Sequence, residues 1–335
     1  MKKSVLFILA VIVLFHIVWY AGSCAYQRQG IPDQKEAKEY QEKYLKRMNI
    51  AIDQSKMEET DINANGYRLR LTVFPAGKHA PTLVFMPGTM CYAQLYIEFL
   101  YKMYRQGFNV VGIDMRGHGM SSGLRGNYDI NGLVDDLLAG VKYARDRFGG
   151  RVAIAGSSQG GMVAFYAAAR DDSIDAAVCH NLADLNGKDN LVLVRFWMPR
   201  ALVPVAGFLT GLYRNYSIPV SLYLDLDREH LKDGSTLSAD VKENPLMVSW
   251  ISIGALGSMM RTELPKPVEK IRVPIMMVYS DGDNIFPQAY VESIYNRLTC
   301  EKSSLLLKNT DHMIMTNHLD RVIGPVSAWL KKTMR

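Results

Sequence analysis

Cysteine is scarce in this sequence, and neither sign of charge dominates it. The four cysteines among 335 residues lack the spacing of metal ligands or of a disulfide framework, which excludes a zinc site and a disulfide-stabilised scaffold; they are Cys24, Cys91, Cys179 and Cys300. We expect them to be buried structural thiols. The net charge of +6 is small and is not gathered into one stripe, so no nucleic acid is expected as a partner.

Almost every residue from 4 to 23 is apolar, and Lys2 and Lys3 come directly before this run. Its length suits a membrane-spanning helix, and the lysines predict that the amino terminus stays in the cytoplasm while the rest is exported. Three fates are open: the helix is retained as an anchor, the chain is cleaved after Ser23, or Cys24 is lipidated. We favour the retained anchor. All three place the remaining chain at or beyond a membrane, on the periplasmic or extracellular side.

Short apolar runs alternate with helical patterns in the following part of the chain. Residues 82–86, 109–114 and 151–155 have the continuous apolar character of strands that are buried on both faces. Residues 93–106 and 132–147 lie between them and have helical periodicity. This alternation predicts an α/β fold with a doubly wound, mostly parallel sheet. Catalytic groups then belong at the carboxyl ends of the strands.

The alternation stops between about residues 182 and 261, where many apolar residues and several prolines follow without strand spacing. This segment predicts an inserted, mainly helical cap, whose apolar residues suggest a wall for an apolar substrate. We therefore divide the chain into a membrane anchor or signal segment at 1–25, a juxtamembrane helical linker at 26–55, and a catalytic domain at 56–335 that contains the cap.

A Gly-x-Ser-x-Gly pattern runs from Gly156 to Gly160, between an apolar strand and a helix-forming run. A serine on such a sharp turn adopts a strained backbone conformation that exposes its hydroxyl, so Ser158 is the candidate nucleophile. An oxyanion formed by its attack needs two backbone amide donors. We expect these from Gln159, directly after the nucleophile, and from Thr89, after the strand 82–86.

The serine needs a base, which is most often a histidine. Of the seven histidines, one lies in the membrane segment, two precede the serine against the usual Ser, Asp, His order, and one lies in the predicted cap. His180, His312 and His318 remain. Only His312 lies in a loop directly after a predicted strand, at residues 303–307, and we predict that it is the base.

A carboxylate must orient the base, and the loop after the predicted strand 273–279 contains two. We predict that Asp283 is the acid, because this loop can reach the far nitrogen of the histidine. Asp281 in the same turn and Asp184 after an earlier strand stay open as alternatives. Asp311 is too close to the histidine in sequence to support it easily.

With these motifs in place, the chain resembles the α/β-hydrolases of the serine aminopeptidase and monoacylglycerol lipase-like group, also described as lysophospholipase-like. The resemblance covers about residues 61–330 and rests on the segments 114–121, 156–161, 283–287 and 311–312. It implies the nucleophile, acid and base named above. In one departure from the family, Pro87 stands where His usually precedes the glycine of the oxyanion loop.

The resemblance implies a serine hydrolase that cleaves carboxylic esters through an acyl-enzyme, without a metal or organic cofactor. The membrane segment and the apolar cap favour a small-molecule acyl ester with a lipid-like chain, such as a monoacylglycerol or a lysophospholipid. An aminopeptidase, an amidase or an acyltransferase would use the same triad. The alternative from another class is a membrane-anchored binding protein without turnover.

Overall fold

A central sheet of eight strands organises the computed structural model, which describes residues 2–186 and 203–335. Its strands are β1 (Glu58–Ala64), β2 (Tyr67–Phe74), β3 (Thr82–Met86), β4 (Asn109–Ile113), β5 (Val152–Ser157), β6 (Ala176–His180), β9 (Ile275–Ser280) and β10 (Lys302–Leu307). They are ordered β1-β2-β4-β3-β5-β6-β9-β10. Every pair from β4 to β10 is parallel, and β1 and β2 are antiparallel, so the predicted mostly parallel sheet is confirmed.

Helices cover both faces of this sheet. They are α3 (Ile97–Arg105), α4 (Ile130–Phe148), α5 (Gln159–Arg170), α9 (Gln288–Arg297), α10 (Ile314–Asn317) and α11 (Leu319–Thr333). The strand β4 shows the two layers directly, because successive residues of a strand face opposite sides. A Cβ at Gly112 would meet Leu100 of α3, whereas a Cβ at Gly140 of α4 would meet the side chain of Ile113.

The chain enters the sheet through a hairpin whose turn is formed by Asn65 and Gly66. Both residues have positive φ, 50° and 82°, as a two-residue hairpin turn requires. The turn pairs Ala64 with Tyr67 and sets the register of β1 against β2.

Cys91 and Cys179 are buried as expected, but Cys24 and Cys300 are only partly buried, because they lie towards the surface of the molecule.

Two helices precede the sheet. The first, α1 (Lys2–Gln27), is long and apolar enough from residue 4 onward to cross a membrane by length and composition. The second, α2 (Gln34–Arg47), begins after Asp33, whose carboxylate accepts two amide hydrogen bonds of the first turn. Its buried face contains Tyr40 and Tyr44.

The segment between β6 and β9 forms the cap. Its described part contains the helices α6 (Val203–Leu212), α7 (Leu237–Glu243) and α8 (Ile253–Arg261). It also contains an antiparallel pair of short strands, β7 (Ser217–Pro219) and β8 (Trp250–Ser252), which the sequence did not indicate because three residues are too few to show a period. Residues 187–202 of the predicted cap lie outside the described residues.

The last turns of α1 pack against the cap. Trp19 Nε1 donates a hydrogen bond to the Ser217 carbonyl at 2.8 Å, and Gln27 Nε2 donates one to Ser217 Oγ at 2.8 Å. The amide of Ser217 in turn donates to Ser23 Oγ at 2.8 Å. The Trp19 ring also contacts Tyr216, with 4.7 Å between ring centroids. Ser23 and Gln27 are both buried, so α1 and β7 form one packed unit.

Candidate active site

Ser158 lies at the turn between β5 and α5, at the carboxyl edge of the sheet. Its φ of 56° and ψ of −119° are strained for a residue with a side chain. Glycine is required on both sides of it. A Cβ at Gly156 would lie 2.0 Å from the Gly160 carbonyl oxygen, and a Cβ at Gly160 would lie 2.1 Å from the carbonyl oxygen at the end of β3. The Gly-x-Ser-x-Gly pattern is therefore explained by the close approach of β3, β5 and α5.

Asp283 and His312 meet across the ends of two neighbouring strands. Asp283 follows β9 and His312 follows β10, and His312 Nδ1 lies 2.7 Å from Asp283 Oδ2. The other carboxylate oxygen, Oδ1, accepts the backbone amides of Ile285 and Phe286 at 2.8 Å each. These amides fix the carboxylate, and the carboxylate fixes the imidazole ring.

Charge stabilises this pair although both side chains are buried. Burial alone would raise the pKa of Asp283, but the charge of His312 and the hydrogen bond from it outweigh burial and hold that pKa well below its ordinary value. Burial likewise would lower the pKa of His312, and the charge of Asp283 outweighs it and raises the pKa. The pair therefore favours an ionised carboxylate beside an imidazole that readily takes a proton.

The nucleophile and base candidates face one cavity. Ser158, His312 and Thr89 line a space of about 40 Å³ between the sheet edge and the cap. The cap and the neighbouring loops supply mainly apolar side chains, which are Met90, Leu224, Leu226, Leu237, Ile285 and Met313. The structure thus brings together residues that follow the ends of four strands, β3, β5, β9 and β10, and covers them with apolar side chains of the cap.

Both predicted oxyanion residues lie beside this cavity. Gln159 is the first residue of α5, where backbone amides have no partner within the helix. Its buried side chain accepts hydrogen bonds from Thr89 Oγ1 at 2.5 Å and from Tyr128 Oη at 3.0 Å, which ties the two candidate donor positions together. A Cβ at Gly88 would lie 3.3 Å from Ser158 Cβ, so the glycine lets the β3 loop approach the serine.

Three of the alternatives for acid and base, Asp281, Asp184 and His318, do not line the cavity at Ser158. Asp281 is exposed and accepts the Asn309 amide at 2.7 Å, and Asp184 pairs with Arg297 at 3.6 Å. His318 comes directly before α11. The catalytic roles of Ser158, Asp283 and His312 remain predictions, but of the candidate acids and bases only Asp283 and His312 form a hydrogen-bonded pair within the described chain.

Two residues at the site, Asn181 and Glu229, were missed from the sequence, and His180, one of the candidate bases, lies beside them. Asn181 Nδ2 donates to Asp283 Oδ2 at 3.0 Å, and the ring of His180 lies 5.0 Å from that of His312. Burial and then the charge of His312 lower the pKa of His180 to about 3, so it is neutral. Glu229 of the cap lines the cavity. No motif marks these residues, although His180 ends β6 at the catalytic edge and Asn181 directly follows it.

The side chains of His180, Asp283 and His312 could also hold a metal ion, because their ligand atoms lie within 4.8 Å of one another. However, both oxygens of Asp283 already accept hydrogen bonds, and Nδ1 of His180 lies 3.1 Å from Ser157 Oγ. Hydrogen bonding therefore occupies both carboxylate oxygens and one nitrogen of each histidine, while His180 Nε2 has no hydrogen-bond partner among the described residues.

Comparison with known proteins places the chain in a family. A family model described as serine aminopeptidase, S33, matches residues 77–318. The bifunctional esterase/perhydrolase DCH of Acinetobacter calcoaceticus is 24% identical over 230 residues, which are 61% of this chain and 72% of that protein. A pimeloyl-(acyl-carrier protein) methyl ester esterase of Neisseria meningitidis serogroup B is 26% identical over 195 residues, 56% and 70% of the two chains.

Solved structures show the same fold. The crystal structure of Paleococcus ferrophilus monoacylglycerol lipase superimposes with a TM-score of 0.63 at 20% sequence identity, over 79% of this chain and 99% of that chain. The family model spans most of the chain and includes the ends of β3, β5, β9 and β10. The chain therefore belongs to the serine aminopeptidase S33 family and is a hydrolase with the α/β-hydrolase fold.

Proposed function

We propose that this protein is a membrane-anchored serine hydrolase that cleaves carboxylic esters of lipid-like acids, such as a monoacylglycerol or a lysophospholipid. One observation carries the proposal: the hydrogen-bonded pair of Asp283 and His312 faces the same cavity as Ser158, which lies on a strained turn. Nucleophile, base and orienting carboxylate in this order are the parts that acyl transfer to a serine requires.

The reaction follows from these positions. Asp283 holds Nδ1 of His312, so Nε2 is free to take the proton of Ser158 as Oγ attacks the ester carbonyl carbon. The amides of Thr89 and Gln159 stabilise the tetrahedral oxyanion. The ester C–O bond breaks, and Nε2 returns its proton to the leaving alcohol. Water then attacks the acyl-enzyme with the same base, which releases the acid and regenerates the serine.

A lipid-like substrate is supported by the surface of the cap. The helix α6 exposes large apolar side chains to solvent, with Phe208 70% and Leu212 62% exposed. Exposed apolar patches of this kind mark contact with lipid or with another protein. The structural neighbour from Paleococcus ferrophilus is a monoacylglycerol lipase, which agrees with a lipid-like ester.

A retained anchor is supported by the packing of α1. Cleavage after Ser23 would remove Trp19 and the Ser23 hydroxyl, which together bind both backbone groups of Ser217 in β7. Buried polar groups that lose their partners destabilise a fold. Lipidation of Cys24 would follow the same cleavage. We therefore propose that α1 stays attached, with Lys2 and Lys3 on the cytoplasmic side and the catalytic domain on the exported side.

A fluorophosphonate probe on the full chain tests the catalytic assignment. The native protein should acquire one adduct, which peptide mapping locates at Ser158, and its matched variant Ser158→Ala should acquire none. Adduct formation should also be lost in His312→Ala and kept in His79→Ala, because His79 is exposed on a distant loop. An adduct on another residue, or none on a folded protein, would refute the triad and favour a binding protein.

The description of the family as serine aminopeptidases supports a second candidate, hydrolysis of an amide at the same triad. An acyl ester and an aminoacyl arylamide, each assayed with the native protein and with Ser158→Ala, distinguish the two. A higher kcat/KM for the arylamide would replace the ester proposal by an aminopeptidase. Acyl transfer to an added alcohol in preference to water would indicate an acyltransferase.

A further inference from the structure

A groove runs between the helix α1 and the cap. Apolar side chains of both elements line it, and they are Phe15, Val18, Trp19, Ile218, Leu222 and Trp250. The space in the groove is about 790 Å³, whereas the catalytic cavity holds about 40 Å³. No residue lines both spaces, so the groove is separate from the site at Ser158.

Hydrogen bonds hold the two walls of the groove together. Trp19 Nε1 donates to the Ser217 carbonyl at 2.8 Å, and two turns further along α1, Tyr26 Oη accepts the amides of Ser249 and Trp250 at 2.9 and 3.2 Å. These contacts fix α1 against both short strands of the cap, β7 and β8. The groove is therefore formed in advance, and a ligand that enters it does not have to order its walls.

The position of the groove along α1 matches one leaflet of a membrane. From Phe15 to Tyr26, which both line it, the helix rises about 17 Å, and half of a hydrocarbon core is about 15 Å thick. From Ser4, where the apolar span begins, to Phe15 is again about 17 Å. In the orientation proposed above, Phe15 then lies near the middle of the bilayer and Tyr26 at its exported surface, so the groove crosses the exported leaflet.

Two cations lie at the end of the groove that meets the exported surface. Arg28 comes directly before Gln29, which lines the groove, and Arg214 comes directly before Asn215, whose carbonyl accepts Gln27 Nε2 at 3.0 Å. Both arginines are exposed, and neither forms an ion pair with a carboxylate in the part of the chain that the structure describes. Arginines at this depth are placed to bind lipid phosphate.

We propose that this groove binds one acyl chain of a phospholipid of the exported leaflet, and that Arg28 and Arg214 bind its phosphate. An acyl chain buries apolar surface along the whole groove, and it ends at the headgroup, where the two cations lie. The bound phospholipid then joins α1 to the cap as a third packed element. The proposal rests on the membrane anchoring proposed above and is independent of ester hydrolysis.

A phosphatidylcholine with bromine in the middle of one acyl chain tests this site, because bromine quenches an indole that it contacts and Trp19 and Trp250 line the groove. The full chain in a non-ionic detergent, stripped of lipid, is titrated with this phosphatidylcholine. The quenching should saturate at about one phospholipid per chain. Trp250→Phe should reduce the quenched fraction of the fluorescence.

A pair of neighbouring variants separates the groove from the rest of the helix surface. Gly22 lines the groove, and its Cβ would meet nothing within 4 Å, so Gly22→Phe fills the groove without a clash. It should weaken binding about ten-fold or more, which corresponds to about two buried CH₂ groups of the acyl chain. Ala21→Phe is the matched control, because Ala21 is exposed and does not line the groove, and it should bind as the native chain does.

A second pair tests the other wall, should Gly22→Phe prove unfolded in thermal melting. Leu222 lines the groove and is 49% exposed, so Leu222→Asp should weaken binding about ten-fold or more without unfolding the cap. Leu212→Asp is its control, because Leu212 is exposed on α6 outside the groove.

Three results would overturn the phospholipid site. The first is quenching that does not saturate, the second is equal affinity in each variant and its control, and the third is a dimer that Gly22→Phe alone dissociates, because a second copy would then occupy the groove. Washing membranes with alkaline carbonate keeps the two proposals apart. A chain that washes off refutes the anchor and this site with it, whereas a chain that stays but shows no saturable quenching refutes this site alone.

Discussion

The substitution Asp283→Asn tests the triad most sharply, because it keeps the shape of the side chain and changes only its hydrogen bonding. Oδ1 accepts two rigid backbone amides, from Ile285 and Phe286, and Oδ2 accepts His312 Nδ1 and Asn181 Nδ2. An asparagine offers a single acceptor oxygen. The two backbone donors keep that oxygen, and the new NH₂ group then faces His312.

An NH₂ group at this place changes the tautomer of His312. Nδ1 must now accept, so the proton moves to Nε2, the nitrogen that has to take the proton of Ser158. The charge that stabilises the imidazolium is lost as well. In a Ser-His-Asp triad the same change lowers kcat about 10⁴-fold, or about 5.4 kcal/mol of transition-state stabilisation. We expect a fall of about 10³ to 10⁴-fold in kcat here, with a smaller change in KM.

Hydrolysis of a soluble short-chain p-nitrophenyl ester measures this effect, and thermal melting confirms that the variant is folded. The matched control is Asp281→Asn, two residues away, whose carboxylate is exposed. It should keep kcat within about two-fold of the native value, as surface substitutions usually do. A kcat of Asp283→Asn within ten-fold of the native value would refute the reasoning from the hydrogen-bond geometry.

Three further predictions concern pH and stability. The native kcat/KM should rise with pH through a pKa above the ordinary 6.5 of histidine, because Asp283 raises the pKa of His312, and the base must be neutral to act; a pH–rate profile whose acid limb lies below 6.5 contradicts this. Gly160→Ala should cost about 4 kcal/mol or more in denaturant unfolding, because its Cβ would lie 2.1 Å from a backbone carbonyl. Gly324→Ala, whose Cβ meets nothing within 4 Å, is its control, and equal stabilities would contradict the packing. Gln27→Leu should cost about 1–3 kcal/mol, because two acceptors in the cap lose their donor, and an unchanged melting temperature would show that α1 does not dock there.

The sheet and the candidate site could be predicted from the sequence because both depend on local patterns. β3, β4 and β5 are continuous apolar runs, and a parallel sheet brings the carboxyl ends of such strands to one edge. Residues that directly follow the strands of such a sheet were therefore expected to lie close together. Ser158 follows β5, Asp283 follows β9 and His312 follows β10, and the three lie at one site. Helix starts were less predictable: residues 93–96, expected as the beginning of a helix, form a separate 3₁₀ turn before α3 begins at Ile97.

The other site residues depend on contacts between distant segments. Asn181 reaches Asp283 across 102 positions, and Trp19 reaches Ser217 across 198. Neither contact has a sequence pattern of its own, since each side chain is ordinary in its own segment. Glu229 has no motif around it in the cap, and its side chain is buried only in the folded chain, where it lines the cavity at Ser158.

The packing of α1 against the cap would determine how deep an anchored enzyme lies in its membrane. Within the described chain, His16 is the first residue of α1 with a ring contact to the cap, since it stacks on Tyr213 directly after α6, and residues 4–15 are all exposed. At about 1.5 Å per residue they span about 18 Å, whereas a hydrocarbon core is about 30 Å thick. The missing 12 Å or so must be filled by the docked turns and by the apolar surface around Phe208. In the orientation proposed above, the cap would then lie inside the outer leaflet, and an acyl ester could reach it without leaving the bilayer.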